Sequence, residues 1–103
     1  MKKNISIIIP NYNGLTLLEK NLPGVLKAVE FAEGDHEVIV VDDGSTDESV
    51  DFLRKTYPDI RVFELPENSG FGSACNAGVR VADNDILYFL NTDVAVEDDF
   101  LAV

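Results

Sequence analysis

The sequence predicts a single α/β domain over residues 1–103, built on a mostly parallel sheet of about four strands flanked by helices. Three observations predict it. Four short apolar runs punctuate the chain: 5–9 (ISIII), 38–41 (VIVV), 62–65 (VFEL) and 86–90 (ILYFL). Three of the four are nearly continuous rather than alternating, the pattern of strands covered by helices on both faces. Segments of helical periodicity separate the runs, and that alternation implies right-handed crossovers.

Taken in order, the first strand (5–9) is followed by Pro10-Asn11-Tyr12-Asn13-Gly14. Residues 15–32 then carry Leu18, Leu22, Val25, Leu26 and Val29 at spacings of three and four, one face of a helix. Pro23 and Gly24 interrupt it and predict a break near Asn21–Leu22. After the second strand (38–41), residues 47–56 place Val50 and Leu53 on one helical face with Tyr57. Ser45 and Glu48 have capping-box spacing, which predicts a start near Thr46. VFEL at 62–65 is mixed and suits an edge strand. Residues 70–82 form a third helix whose small residues allow close approach to the sheet. The fourth strand (86–90) leads to a fourth helix over 97–103.

The chain has 103 residues, 46% hydrophobic and 26% charged, an ordinary globular composition. Nineteen acidic against eight basic side chains give a net charge of -11. That balance argues against nucleic acid or an anionic membrane as a partner through a broad basic surface. It fits a cation, or an anion reached through one. Cys75 is the single cysteine, so no internal disulfide forms and a reducing, cytoplasmic compartment is expected. The run at 5–9 is too short for a signal-peptide core, and no stretch nears the roughly 20 apolar residues of a membrane span.

In an open α/β sheet, ligands bind beyond the carboxyl ends of the strands. The residues there are Pro10 to Gly14, Asp42-Asp43-Gly44-Ser45, Pro66 to Gly70, and Asn91-Thr92-Asp93. Asp42 is open to two readings: a turn residue accepting backbone hydrogen bonds, or a ligand contact. Asp43 has the better claim to a ligand. An ionised carboxylate only accepts, so it suits a base N–H or sugar hydroxyls and repels phosphate unless a metal intervenes. Asp93 fits that metal role, since Mg²⁺ takes carboxylate oxygen beside phosphates and waters. Asp47 reads as a helix-start residue, and Asn11 and Asn13 as shaping the turn before Gly14.

Four segments together, IIPNYNG at 8–14, VVDDGSTD at 40–47, NSGFGSACNAG at 68–78 and FLNTDV at 89–94, resemble the N-terminal half of a family 2 inverting glycosyltransferase of the GT-A type. The resemblance covers essentially the whole chain. It implies strand order 3-2-1-4 and a nucleotide-diphosphate sugar as donor. It implies Pro10 and Tyr12 against the nucleobase, Asp43 accepting the base N–H, and Asn76 near the ribose and diphosphate. Asn13, Asp42 and Thr92 are counted with the nucleotide-binding residues. Asp93 would be the last residue of a DxD-type motif that ligates Mg²⁺ or Mn²⁺, with Asn91 in its first position, a variant similar to rhamnosyltransferase-like enzymes of cell-surface polysaccharide synthesis. The acceptor, a saccharide or lipid-linked sugar, and the general base are expected beyond residue 103. The chain is therefore expected to bind donor without turning it over, within a protein peripheral to the inner face of the cytoplasmic membrane. UDP, dTDP and GDP sugars all fit. The strand at 86–90 would be an apolar edge, which predicts self-association.

Other readings are weaker. Gly70-Phe71-Gly72 lacks the third glycine of a dinucleotide fingerprint. A phosphoacceptor receiver domain would need an aspartate where the third strand ends in LPEN at 65–68. His36 reads as a surface residue and Cys75 as a small core-facing one. A non-catalytic nucleotide- or metal-binding module is the alternative to an enzyme.

Overall fold

The computed structural model describes residues 4–97. Strand β1 (Ile5–Asn11), helix α1 (Leu15–Phe31), β2 (Glu37–Asp42), α2 (Ser49–Thr56), β3 (Arg61–Glu64), α3 (Phe71–Val81) and β4 (Ile86–Phe89) follow one another. The four strands are parallel, in the order β3-β2-β1-β4. The expected α/β class and strand order are therefore observed. The helix expected over 97–103 lies outside the described residues.

Successive strand residues point to opposite faces, and the core divides accordingly. Ile5, Ile7 and Ile9 of β1 and Val38 and Val40 of β2 pack with Leu18, Leu22 and Val25 of α1 and Leu53 of α2. Ile8, Ile39 and Val41 pack with Ala74 and Ala77 of α3 on the other face. Both central strands are covered on both sides, which is why their sequences are continuous rather than alternating. The small residues of α3 allow it to come close: a Cβ on Gly78 would collide with Ile8 Cγ2.

Polar pairs close the β1–β2 ladder at both ends. Ser6 lies opposite Glu37 and Asn11 opposite Asp42. Ser6 Oγ donates to Glu37 Oε2 at 2.6 Å and Asn11 Nδ2 to Asp42 Oδ1 at 3.0 Å. A slip by one residue would break both pairs and turn the isoleucines to the wrong faces. Burial would raise the Glu37 pKa, but hydrogen bonds from Ser6 and the Asp83 N–H, with Arg61 beside it, hold it below the ordinary value. His36 is half-buried: its Nδ1 accepts from the Ile5 N–H, so it pins the start of β1.

Two local expectations differ from the structure. Helix α1 runs unbroken through Pro23. Proline removes one helical hydrogen bond, but Pro23 lies on the exposed face, while Leu18, Leu22 and Val25 anchor the turns around it. Helix α2 starts at Ser49, not near Thr46, because Ser45 is committed elsewhere: its hydroxyl accepts from the Asn13 N–H at 2.9 Å.

The sheet order places the topological switch between β1 and β4. Pro10 helps open it. Leu90 N–H donates to Ile8 O at 3.0 Å, and the next rung of a parallel ladder would need an N–H at residue 10. Proline has none, so β4 leaves the sheet there and turns through Asn91–Val94, closed by a Val94 N–H bond to Asn91 O.

Candidate donor site at the strand ends

The carboxyl ends of β1, β2 and β4 form one rim. A cavity of about 250 Å³ opens there, lined by Pro10, Asn11, Tyr12, Asp43, Asn68, Gly70, Phe71 and Ala74. No lysine or arginine belongs to that wall. Tyr12 and Phe71 are 51% and 61% exposed, so two aromatic faces are presented to solvent beside a carboxylate.

Asp42 and Asp43 are both buried, and each carboxylate is held by hydrogen bonds rather than by a cation. Asp42 Oδ1 accepts from Asn11 Nδ2, and its Oδ2 accepts from the Ser45 N–H at 3.0 Å. Asp42 thus takes the turn role. Asp43 Oδ1 accepts from the Ser69 N–H at 2.7 Å and Oδ2 from the Gly70 N–H at 2.9 Å. Asp43 thereby ties the β3–α3 loop to the end of β2 and still lines the cavity. The two loops touch backbone to backbone at Gly44, whose φ of +74° suits glycine and where a Cβ would come within 2.5 Å of the Asn68 nitrogen.

Asn13, in the left-handed region at φ 52°, points its Oδ1 at the Thr46 and Asp47 amides, 2.7 and 3.1 Å away. Its carbonyl is therefore spent on the turn. Asp47 does more than start one helix. Its Oδ2 accepts from the Leu15 N–H, capping α1 from outside, while Oδ1 accepts from Ser49 at the start of α2. Burial would raise its pKa, but the bonds from Ser49 and Leu15 outweigh that and lower it.

Thr92 and Asp93 sit on the Asn91–Val94 turn. Buried Asn21 of α1 donates to Thr92 O at 2.8 Å and fixes that turn against the helix. Asp93 is exposed, as is Asn91. Asp43 follows β2 and Asp93 follows β4, with β1 between them; two strand spacings separate them laterally by about 10 Å. Asn76 is on the exposed face of α3 and outside the cavity wall. Tyr12, Pro10 and Asp43 are thus brought together, Asp93 and Thr92 share their rim, and Asn76 stands apart.

Sequence reasoning placed Asn68 at the strand ends without giving it a role, and passed over Phe71 and Asn21. Asn68 follows the third apolar run, where the strand-end rule puts it. Phe71 and Asn21 are helical residues whose roles depend on packing. Asn11 Oδ1 is buried and has no partner among the described residues; it lies where a Cβ on Gly14 would collide with it. Burial raises the Cys75 thiol pKa.

Among the described residues no group of three or more His, Cys, Asp or Glu could hold a metal alone. A lone exposed carboxylate fits a cation that arrives with phosphates, because Mg²⁺ is commonly held by one or two carboxylates plus substrate oxygens. A larger cavity of about 520 Å³ lies at the opposite end of the sheet, among His36, Tyr57, Ile60 and Arg61. Arg61 on its wall is paired with Glu37 at 2.8 Å, and the cavity is remote from the strand-end carboxylates.

The model of the family described as glycosyl transferase family 2 matches residues 6–103. A validoxylamine A glucosyltransferase of Streptomyces hygroscopicus subsp. jinggangensis is 40% identical over 93 residues, covering 87% of this chain and 22% of that protein. A poly(ribitol-phosphate) beta-glucosyltransferase of Bacillus spizizenii is 37% identical over 86% of this chain and 14% of its own length. The chain therefore spans about a fifth or less of these relatives. Among solved structures, S. aureus TarS 1-349 in complex with UDP-GlcNAc superposes with a TM-score of 0.81 at 28% identity, over 95% of this chain and 29% of that one. Mannosyltransferase PcManGT from Pyrobaculum calidifontis, in complex with GDP-Man and Mn²⁺, gives 0.75 at 26% identity, over 92% of this chain and 29% of that one.

Proposed function

Because the chain belongs to glycosyl transferase family 2, we propose that its β1-β2-β4 rim binds the nucleotide of a nucleotide-diphosphate sugar, for inverting transfer of the sugar to an acceptor hydroxyl in polysaccharide or glycoconjugate synthesis. The observation that carries this is the cavity between Tyr12, Asp43 and Phe71, with the Asn91–Val94 turn on the same rim. The similarity to proteins solved with UDP-GlcNAc and with GDP-Man supports it.

The base lies between the aromatic faces of Tyr12 and Phe71, with its N–H toward Asp43. The cavity, at about 250 Å³, is below the ~300–1,000 Å³ of typical ligand pockets. It takes the base, and the sugar and diphosphate run outward along the rim toward Asp93. The wall offers the diphosphate no cationic side chain. A divalent cation, Mg²⁺ or Mn²⁺, held by Asp93 would neutralise the diphosphate and support its departure. Inversion needs a carboxylate to deprotonate the acceptor; none of the described residues is assigned that role, and the chain by itself is expected to bind rather than transfer.

The test is titration of UDP with and without Mn²⁺ against the chain and its Asp93→Ala variant. Binding strengthened by Mn²⁺ in the parent and insensitive to Mn²⁺ in the variant is expected. Binding indifferent to both metal and substitution would remove Asp93 from the site.

A further inference from the structure

One polar group at the donor rim is idle. Asn11 is 2% exposed, and its amide is fixed in one sense: Nδ2 donates to Asp42 Oδ1 at 3.0 Å and to Ser45 Oγ at 3.3 Å. A flipped amide would set its oxygen against that carboxylate, so Oδ1 points away from it. There it is sealed from solvent and accepts no hydrogen bond from the described residues. An unpaired buried acceptor is costly, and few persist in a native fold without a use.

A Cβ on Gly14 would collide with Asn11 Oδ1 and fall 3.4 Å from Thr92 Oγ1, so the idle carbonyl and the Thr92 hydroxyl lie against the same bare Cα. They stop short of a bond. We propose that Asn11 is a positioning residue of the donor site: when nucleotide and cation load, the Thr92 hydroxyl donates to Asn11 Oδ1 and seats the turn that carries Asp93. The inference rests on the donor reading above. Strand β1 lies between β2 and β4, and Asn11 is its last residue. Drawing Asp93 toward a diphosphate over the end of β1 therefore carries Thr92 toward Asn11. The turn can make that movement. Leu90 bonds to Ile8 O before β4 leaves the sheet, and beyond it Asn21 holds the Thr92 carbonyl and leaves the hydroxyl to rotate. Asn11 does not yield in turn, because its main-chain oxygen accepts from the Asp43 N–H at 2.8 Å and its amide is tied to Asp42 and Ser45. The new bond joins the base side of the rim to the cation side.

The test is calorimetric titration of the full chain with UDP, with and without Mn²⁺, for the parent, Thr92→Val and Thr92→Ser, beside urea unfolding of each without ligand. Valine keeps the shape and removes the hydroxyl; serine keeps the hydroxyl. Thr92→Val is expected to leave the metal-free affinity and the unfolding midpoint at the parent's values and to cut the Mn²⁺ enhancement about three- to tenfold, the worth of one neutral hydrogen bond. Thr92→Ser is expected to keep the enhancement. A purely structural role would move the midpoint instead. In an Asn11→Ala background, Thr92→Val is expected to cost nothing further; if Asn11→Ala does not fold, the two Thr92 variants decide alone. A Mn²⁺ enhancement in Thr92→Val equal to the parent's overturns the proposal and leaves the donor site standing, as does an undiminished loss in the Asn11→Ala background. A parent chain that binds UDP no better with Mn²⁺ overturns it together with the role given to Asp93.

Discussion

Replacing Asp43 by alanine removes two hydrogen bonds at once and leaves the Ser69 and Gly70 N–H groups without their acceptor. A hydrogen bond to a charged group contributes about 1.5–3 kcal/mol, so the gross loss is about 3–6 kcal/mol. Ser69 is exposed and Gly70 half-buried, so water recovers part of it. A net loss of about 2–3 kcal/mol is expected after that discount. Asp43→Asn keeps the shape but puts a donor against one of the two N–H groups, and should cost at least as much. Urea unfolding followed by circular dichroism measures both variants against the parent. Asp93→Ala serves as the comparison, an exposed substitution expected to stay within about 0.5 kcal/mol. If Asp43→Ala and Asp43→Asn also stay within that margin, the carboxylate does not hold the β3–α3 loop.

Acid should weaken the fold through Asp47 and Glu37. Both have folded pKa values below their unfolded ones, so the stability they supply is present above pH ~4 and is lost as pH falls through the folded values; Asp47→Asn should flatten that loss in denaturation curves taken between pH 5 and 3, and an unchanged slope would contradict the assignment. Gly44→Ala, at φ +74° and against the Asn68 nitrogen, should cost more than the ~1–2 kcal/mol of left-handed strain alone; a thermal midpoint equal to the parent's would show that the loop contact is soft. The β4 edge carries Ile86 and Phe89, 39% and 47% exposed, and exposed apolar edges pair with other chains. Sedimentation should show concentration-dependent self-association that Phe89→Lys lowers, and a monomer at high concentration would refute it.

The fold was legible because its cause is simple. Ile5 to Ile9 and Val38 to Val41 are buried on two faces, and a strand buried twice writes itself as a continuous apolar run. Strand order came from the resemblance, not from the runs. The rim was legible through strand ends, which gave Pro10, Tyr12, Asp43 and Asp93. The roles of the polar residues were less so. Asp42 and Asp47 are the same residue type as Asp43, and Asn13 is its amide counterpart; only three-dimensional partners show that Asn13 Oδ1 caps the Thr46 and Asp47 amides or that Asp47 reaches back to Leu15. The unbroken α1 was missed because a local rule about Pro23 competes with tertiary burial of Leu22 and Val25, and burial wins. In the sequence Phe71 reads only as part of a helix start; its place beside the cavity follows from the Asp43 bonds that seat the loop before it.

Nitrogen-15 amide spectra of the chain, recorded as UDP and Mg²⁺ are added, test the shared rim most directly. Shifts concentrated at residues 11–14, 42–46, 68–72 and 91–94 are predicted, together on one binding curve. Shifts confined instead to the opposite end of the sheet, around His36 and residues 57–61, would contradict it.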